Sequence, residues 1–132
     1  MPRPLVPRHL RFGVPGRTLA DGSTLPGHEL DEDHVERLAR ELADAGIEAV
    51  AIAFLNSFAN PELERRARDA VLRAAPELRV SISSDVVPEI PEYDRTSTTV
   101  ANVYVQARVE RYLQDLQERL ARAGFRGALL LL

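Results

Sequence analysis

Residues 47–55, with the sequence IEAVAIAFL, form a continuous apolar run bounded by a glycine and an asparagine. An apolar run of this length without polar alternation is typical of a strand buried on both faces, as in a parallel sheet. Helices are predicted on either side of it. Residues 31–45 repeat apolar side chains at helical spacing behind Asp31, a good N-cap, and a second helix begins at Asn60, a capping residue followed by proline.

The rest of the chain extends the same pattern. Residues 79–83 (RVSIS) predict a second strand, residues 98–123 a long helix, and residues 128–132 (ALLLL) a third apolar strand. This alternation predicts an α/β fold, a mostly parallel sheet with flanking helices. We expect an extended N-terminal segment over residues 1–29, and an α/β domain over residues 30–132 that is truncated at its C-terminal strand.

The apolar residues of the long helix are expected to form its buried side, because they recur at helical spacing. The predicted set is Val100, Val103, Tyr104, Ala107, Tyr112, Leu113, Leu116 and Leu120. The apolar end of the chain, residues 128–132, is expected to promote self-association, so a homo-oligomer is one candidate state.

Composition narrows the classes of function. The 132 residues include 17 arginines and no lysine, 20 acidic residues, 3 histidines and no cysteine, with a net charge of −3. Mixed charges argue against a nucleic-acid surface, and the missing residue types exclude a phosphate-loop lysine, a thiolate and a disulfide. The scattered histidines disfavour a zinc site. No run approaches ~20 apolar residues and no export signal is visible, so we expect a cytoplasmic protein without a membrane partner.

Polar side chains are concentrated where the predicted second strand ends and the long helix begins. Ser83 ends the strand and Ser84 follows it, and residues 92–99 (EYDRTSTT) lead into the helix. Ligands of parallel sheets bind beyond the carboxyl ends of the strands, so this is a candidate site. Strand termination and helix capping are the structural alternatives. Arg95 has two possible roles. It either binds a carboxylate or phosphoryl oxygen of a ligand, or it forms an ion pair within the loop. The ion-pair partners considered are Asp85, Glu89 and Glu92.

Several of these segments together resemble the A-type, ATP-binding subunit of the ATP-dependent hydantoinase/5-oxoprolinase family. They are residues 13–17 with 21–22, residues 47–61 with Glu64, residues 81–99, and residues 102–105 with 112–113. The chain departs from the family pattern at two positions. It has Asn56 where members often carry histidine, and Asp94 where they often carry glutamate.

The resemblance implies part of an actin/hexokinase-like (ribonuclease H-like) fold within a longer polypeptide. It implies ATP- and Mg²⁺-dependent opening of a cyclic amide such as a hydantoin or 5-oxoproline, with a B-type partner subunit, while other relatives carboxylate ketones. Under this hypothesis six residues line or brace the active cleft: Ser83, Ser84, Glu92, Arg95, Thr96 and Thr98. No catalytic residue can be assigned among them.

The family's glycine-rich phosphate segments do not occur in these residues. The chain alone is therefore expected to be an inactive fragment with no cofactor or metal of its own. The alternative hypothesis is a non-catalytic α/β module that binds a partner or a small ligand. A receiver-like signalling domain is disfavoured, because that function needs a lysine and a pair of acidic residues that are missing here.

Overall fold

The computed structural model describes residues 4–130. Its first helix, α1, spans Glu32–Asp44. The side chain of Asp31 accepts a hydrogen bond of 2.9 Å from the main-chain N–H of His34, which confirms the predicted N-cap. The inward face of α1 buries Val35 and Ala39.

Two strands lie parallel and adjacent, joined by a helix. β1 spans Ala49–Ile52, α2 spans Glu62–Ala74, and β2 spans Arg79–Ile82. The register places Ala49 opposite Arg79 and Ile52 opposite Ile82. The predicted α/β class with a parallel sheet is confirmed. Asn60 precedes α2 as predicted, but Pro61 occupies the N-cap position, and Asn60 Oδ1 accepts a 3.0 Å hydrogen bond from the first helical N–H, that of Glu62.

The first strand is shorter and less buried than predicted. β1 ends at Ile52, and all of its residues are only partly buried. The main-chain N–H and carbonyl of Phe54 bond to side chains instead of to a neighbouring strand. Because the described sheet contains two strands, each has one edge without a partner strand among residues 4–130.

A short helix and a long helix complete the chain. α3 spans Ser83–Val86 and α4 spans Glu92–Arg122. The predicted start of the long helix at residue 98 is wrong, because Pro91 occupies the N-cap position and residues 92–99 already form the first turns. None of these polar residues caps the helix, and the hydroxyl of Thr99 bonds back to the Arg95 carbonyl at 2.7 Å.

The predicted buried side of the long helix is only partly correct. Arg95, Thr99 and Val103 are its buried residues. The prediction that Tyr104 and Tyr112 are buried is wrong, since they are 45% and 65% exposed. A sheet of two strands covers only one narrow row of a helix this long, and the opposite side stays open.

The ends of the chain contain little regular structure. Arg8–Leu10 form a 3-10 turn, and Thr18 pairs with Thr24 in an isolated antiparallel bridge closed by a turn. No strand forms over residues 128–130, so that part of the predicted third strand is wrong, and residues 131–132 lie outside the described residues. Within residues 4–130 no helix has both the length and the apolar character needed to cross a membrane.

The core lies between α1, α2 and the sheet. Its buried side chains share apolar character and come from both helices and the connecting segments: Leu30, Val35, Ala39, Phe54, Leu63, Ala67, Ala70, Val71, Ala75 and Leu78. At the rim, Glu32 joins the two helices through Arg66 at 2.7 Å and Arg73 at 2.8 Å. Hydrogen bonds from these two guanidinium groups lower the pKa of the Glu32 carboxyl group.

Candidate functional site

A carboxylate is buried where the two strands end. Glu64, on the first turn of α2, has no exposed surface. Its Oε1 accepts hydrogen bonds from Phe54 N at 2.9 Å and Ser83 Oγ at 2.5 Å, and its Oε2 accepts one from Ser84 N at 2.8 Å. Phe54 follows β1 and the two serines follow β2. The carboxylate therefore ties together the carboxyl ends of both strands.

A guanidinium is buried beside it. Arg95, on α4, is 1% exposed. It donates from Nε to Ser83 Oγ at 3.0 Å, from Nη1 to the Glu89 carbonyl at 2.8 Å, and from Nη2 to the Phe54 carbonyl at 2.9 Å. The planar fork thus fixes α4 to the end of β1 and to the loop before the helix.

The contacts of Arg95 in the structure differ from the predicted ion pair with an acidic side chain of the loop. The Glu89 main chain, not its carboxylate, receives the guanidinium. The pairing with Asp85 is wrong, since Asp85 Oδ2 lies 3.5 Å from Arg68 Nη1. Glu92 Oε1 is 3.9 Å from Arg95 Nη2 and is 3.1 Å from the main-chain N–H of Asn56, which donates to it.

Ser83 links the two buried charges, and its hydrogen bonds can be assigned. Its hydroxyl has one proton and two lone pairs. The proton goes to the Glu64 carboxylate, which only accepts, so the lone pairs receive Arg95 Nε and the hydroxyl of Ser57 at 3.1 Å. All three positions are used, which leaves Ser83 no proton or lone pair for a substrate. These residues form the Glu64–Ser83–Arg95 network.

The network is a neutral unit in a region with little access to water. Glu64 and Arg95 are each no more than 1% exposed, and Ser57 and Ser83 are equally buried. A single charge buried there would carry a large desolvation cost, which the opposite charge and the hydrogen bonds offset. Because its charged groups bond to protein atoms, the network supports a bracing role and does not fit a phosphate group of a nucleotide.

The loop after β1 is held by two asparagine side chains. Asn56 has a left-handed backbone with φ of 56°. Its Nδ2 donates to the Thr18 carbonyl at 2.9 Å, and Asn60 Nδ2 donates to the Gly22 carbonyl at 2.8 Å. The turn formed by residues 18–24 is thereby attached to the loop that carries Phe54 and Ser57.

The left-handed backbone at Asn56 gives a testable prediction. Asn56→Gly and Asn56→Ala both lose the hydrogen bond to Thr18, but only alanine meets the steric cost of about 1–2 kcal/mol at positive φ. We expect the glycine variant to be more stable than the alanine variant by about 1 kcal/mol in urea unfolding. Equal stabilities would mean that the loop relaxes to another backbone conformation.

Of the six predicted cleft residues, four come together and two do not. Ser83, Ser84 and Arg95 belong to the network or bond to it, and Glu92 lies at its border. Thr96 and Thr98 are exposed on the first turns of α4. The buried Oγ of Ser84 finds no hydrogen-bond partner among residues 4–130.

Glu64 is a site residue that was not predicted, although the sequence contains a signal for it. Glu64, Ala67 and Val71 are three and four residues apart, so Glu64 shares the inward face of α2 with the two apolar residues. A carboxylate on an apolar stripe needs buried partners, and that requirement predicts a network before the partners are known. Within the described residues no group of three or more His, Cys, Asp or Glu side chains is arranged to hold a metal ion.

The sequence and the fold can be compared with those of known proteins. Residues 1–75 match the family described as the hydantoinase/oxoprolinase N-terminal region, and the chain belongs to this family. It is 38% identical over 120 residues to caprolactamase subunit alpha of Pseudomonas jessenii, a match that covers 91% of this chain and 17% of that subunit.

Two solved structures share the fold. The crystal structure of ATP-dependent caprolactamase from Pseudomonas jessenii matches with a TM-score of 0.83 and 36% identity, over 93% of this chain and 18% of that chain. A nucleotide-free structure of acetone carboxylase, described for ATP-dependent acetone carboxylation, matches with a TM-score of 0.71 and 40% identity, over 77% of this chain and 15% of that chain. The chain spans less than a fifth of the length of each of these relatives.

Proposed function

We propose that this chain acts within a longer ATP-dependent enzyme that opens a cyclic amide, such as a hydantoin or a 5-oxoproline-like ring. The observation that supports the proposal is the match to an ATP-dependent caprolactamase over 93% of the chain with a TM-score of 0.83. Caprolactam is a cyclic amide, and that relative is an ATP-dependent enzyme. ATP with Mg²⁺ and a B-type partner subunit belong to the same proposal.

The chain's own contribution is to hold one wall of the cleft. The Glu64–Ser83–Arg95 network fixes the ends of both strands to the first turns of α4. In this proposal Ser83, Ser84 and Arg95 brace the wall from inside. Glu92 and Thr96, one turn apart, face the cleft from one side of the first turns of α4, and Thr98 lies on a different side of this end of the helix. Rigid placement of such a wall matters because catalytic geometry tolerates errors of only about 0.5 Å.

A carboxylase is the second candidate. The match to acetone carboxylase, with a TM-score of 0.71 and 40% identity, favours it. Both reactions use ATP to activate an oxygen-bearing carbon, and the described residues do not select between an amide and a ketone. The substrate that stimulates ATP consumption therefore distinguishes a cyclic amide hydrolase from a carboxylase.

ATP turnover tests the proposal directly. The longer polypeptide that contains this chain, with its B-type partner, is assayed with hydantoin, 5-oxoproline, caprolactam, and acetone plus bicarbonate. We expect a cyclic amide to stimulate ATP consumption, with one ring opened per ATP. Stimulation by the ketone with bicarbonate alone would identify a carboxylase. No stimulation and no ATP binding would support a non-catalytic module.

Calorimetry and matched variants complete the experiment. The 132-residue chain alone is expected to bind Mg-ATP weakly or not at all, and tight binding would contradict a site built from other segments. Thr96→Ala is expected to lower turnover without changing the unfolding curve, and Thr98→Ala, on a different side of α4, is expected to lower it less. Gln114→Ala, an exposed residue farther along α4, is the control and should change neither.

A further inference from the structure

The outer side of α4 carries a second apolar stripe. Val105, Val109 and Tyr112 are 53%, 41% and 65% exposed, and Leu116 continues the row as a partly buried residue. Their spacing of four, three and four residues is the a/d spacing of a coiled-coil helix. At about 1.5 Å per residue the stripe is roughly 17 Å long, enough for several layers of side chains.

This stripe points away from the rest of the fold. In this part of α4 the residues beside β1 and the segment before it are Val103, Ala107 and Arg111, and at ~100° per residue the stripe lies on the opposite side of the helix. The segment after α4, residues 125–129, lies beside Gln117, Leu120 and Ala121, on a different side of the helix. Within residues 4–130 the stripe therefore has no cover.

The charged residues beside the stripe can form ion pairs with the same residues of a second copy of the chain. Arg108 and Asp115 are one heptad apart on the same flank, and neither forms an ion pair within the described part of the chain. The guanidinium of Arg108 rests over the ring of Tyr104, 5.1 Å from its centroid. An arginine and an aspartate so spaced match each other when two identical helices lie antiparallel.

We propose that two copies of this chain associate through α4, packed antiparallel about a twofold axis near residues 110–111. In this register Val109 lies against the partner's Tyr112, and Val105 lies against the partner's Leu116. Arg108 then faces the partner's Asp115, and the twofold axis repeats each contact. This interface is isologous and leaves the sheet and the network on the outer sides of the pair. It is a different surface from residues 128–132, and it goes beyond the proposed function.

Sedimentation equilibrium of the 132-residue chain tests the apolar contact. We expect a monomer–dimer equilibrium, and at least a tenfold weaker association for Val109→Glu, because two carboxylates would be buried at the centre of the interface. Leu72→Glu is the matched control, since Leu72 is 38% exposed on α2 and lies outside the proposed interface. Circular dichroism should show the same helix content for all variants. A chain that stays monomeric up to millimolar concentration, or a dimer insensitive to Val109→Glu, would overturn the proposal.

Exchanging the charges of Arg108 and Asp115 tests the antiparallel register and tests whether the partner is a second copy of the chain. Arg108→Asp and Asp115→Arg each replace two attractive pairs with two repulsive pairs, so each alone should weaken the dimer roughly tenfold at low salt. The double variant Arg108→Asp/Asp115→Arg should restore it, and mixing the two single variants should produce a heterodimer. Arg37→Asp, at an exposed position on α1, is the control. If the double variant is as weak as the single ones, the antiparallel register is wrong, and α4 is covered by something other than a second copy.

Discussion

Replacing Glu64 with alanine is expected to lower the free energy of unfolding by about 3–5 kcal/mol, because three donors lose their acceptor and the guanidinium loses the opposite charge across Ser83. The carboxylate accepts hydrogen bonds from Phe54 N, Ser83 Oγ and Ser84 N, and all of these donors would lose it at once. Arg95, which is 1% exposed, would keep its charge without a buried counter-charge. Domains of this size are stable by only about 5–15 kcal/mol, so this single change removes a large share of the total.

The measurement is urea unfolding followed by circular dichroism, with Glu62→Ala as the matched control. Glu62 is an exposed glutamate in the same first turn of α2, and its replacement should change stability by no more than about 0.5 kcal/mol. Glu64→Gln separates charge from hydrogen bonding, because it keeps the shape and one acceptor oxygen. We expect an intermediate loss. A Glu64→Ala variant as stable as the Glu62 control would show that the buried network contributes no net stability.

The features that the sequence predicted well are those decided by neighbouring residues. Asp31 caps α1, and Asn60 accepts a hydrogen bond from the first N–H of α2, because each side chain reaches a main-chain N–H group only two or three residues away. The apolar run around β1 identifies a strand because no helical periodicity competes with it. Such local rules were sufficient for the α/β class and for the order of the first elements.

The features that the sequence predicted poorly depend on contacts between residues that are distant in the chain. The hydroxyl-rich stretch before residue 98 has the composition of a cap, and it therefore predicts that α4 starts there. In the structure that stretch is helical, since Arg95 can reach the Phe54 carbonyl and Ser83 Oγ only from the first turns of the helix. Tertiary hydrogen bonds override a local capping preference, and their partners lie 12 and 41 residues away in the chain.

In the candidate site, too, some residues could be predicted from the sequence and others depend on contacts that the sequence does not show. Ser83, Ser84, Glu92 and Arg95 were found because strand ends of parallel sheets meet at one edge. Glu64 was not, because a carboxylate in a helix is usually solvated, and the sequence alone does not show which donors surround it. The burial of Tyr104 and Tyr112 was predicted from their helical spacing, but spacing defines a face of α4 without showing what covers it.

A double-mutant cycle between Glu64 and Arg95 gives the second large effect. Arg95→Met keeps the apolar stem but removes the three hydrogen bonds to Ser83, Glu89 and Phe54, and it leaves Glu64 as an unpaired buried charge. We expect a loss of about 3–5 kcal/mol in the free energy of unfolding. Arg95→Lys should lose less, about 1–3 kcal/mol, because it keeps the charge but cannot bond in three fixed directions.

The double variant Glu64→Gln/Arg95→Met decides whether the two charges stabilise each other. Each single change leaves one uncompensated charge in the interior, while the double change leaves none. The double variant should therefore be more stable than the sum of the single losses predicts, by at least about 1 kcal/mol of coupling energy. Additive losses would mean that Ser83 separates the charges well enough for each to be stabilised only by its own hydrogen bonds. In that case the arginine acts as a main-chain clamp on α4, and its charge is incidental to the stability of the fold.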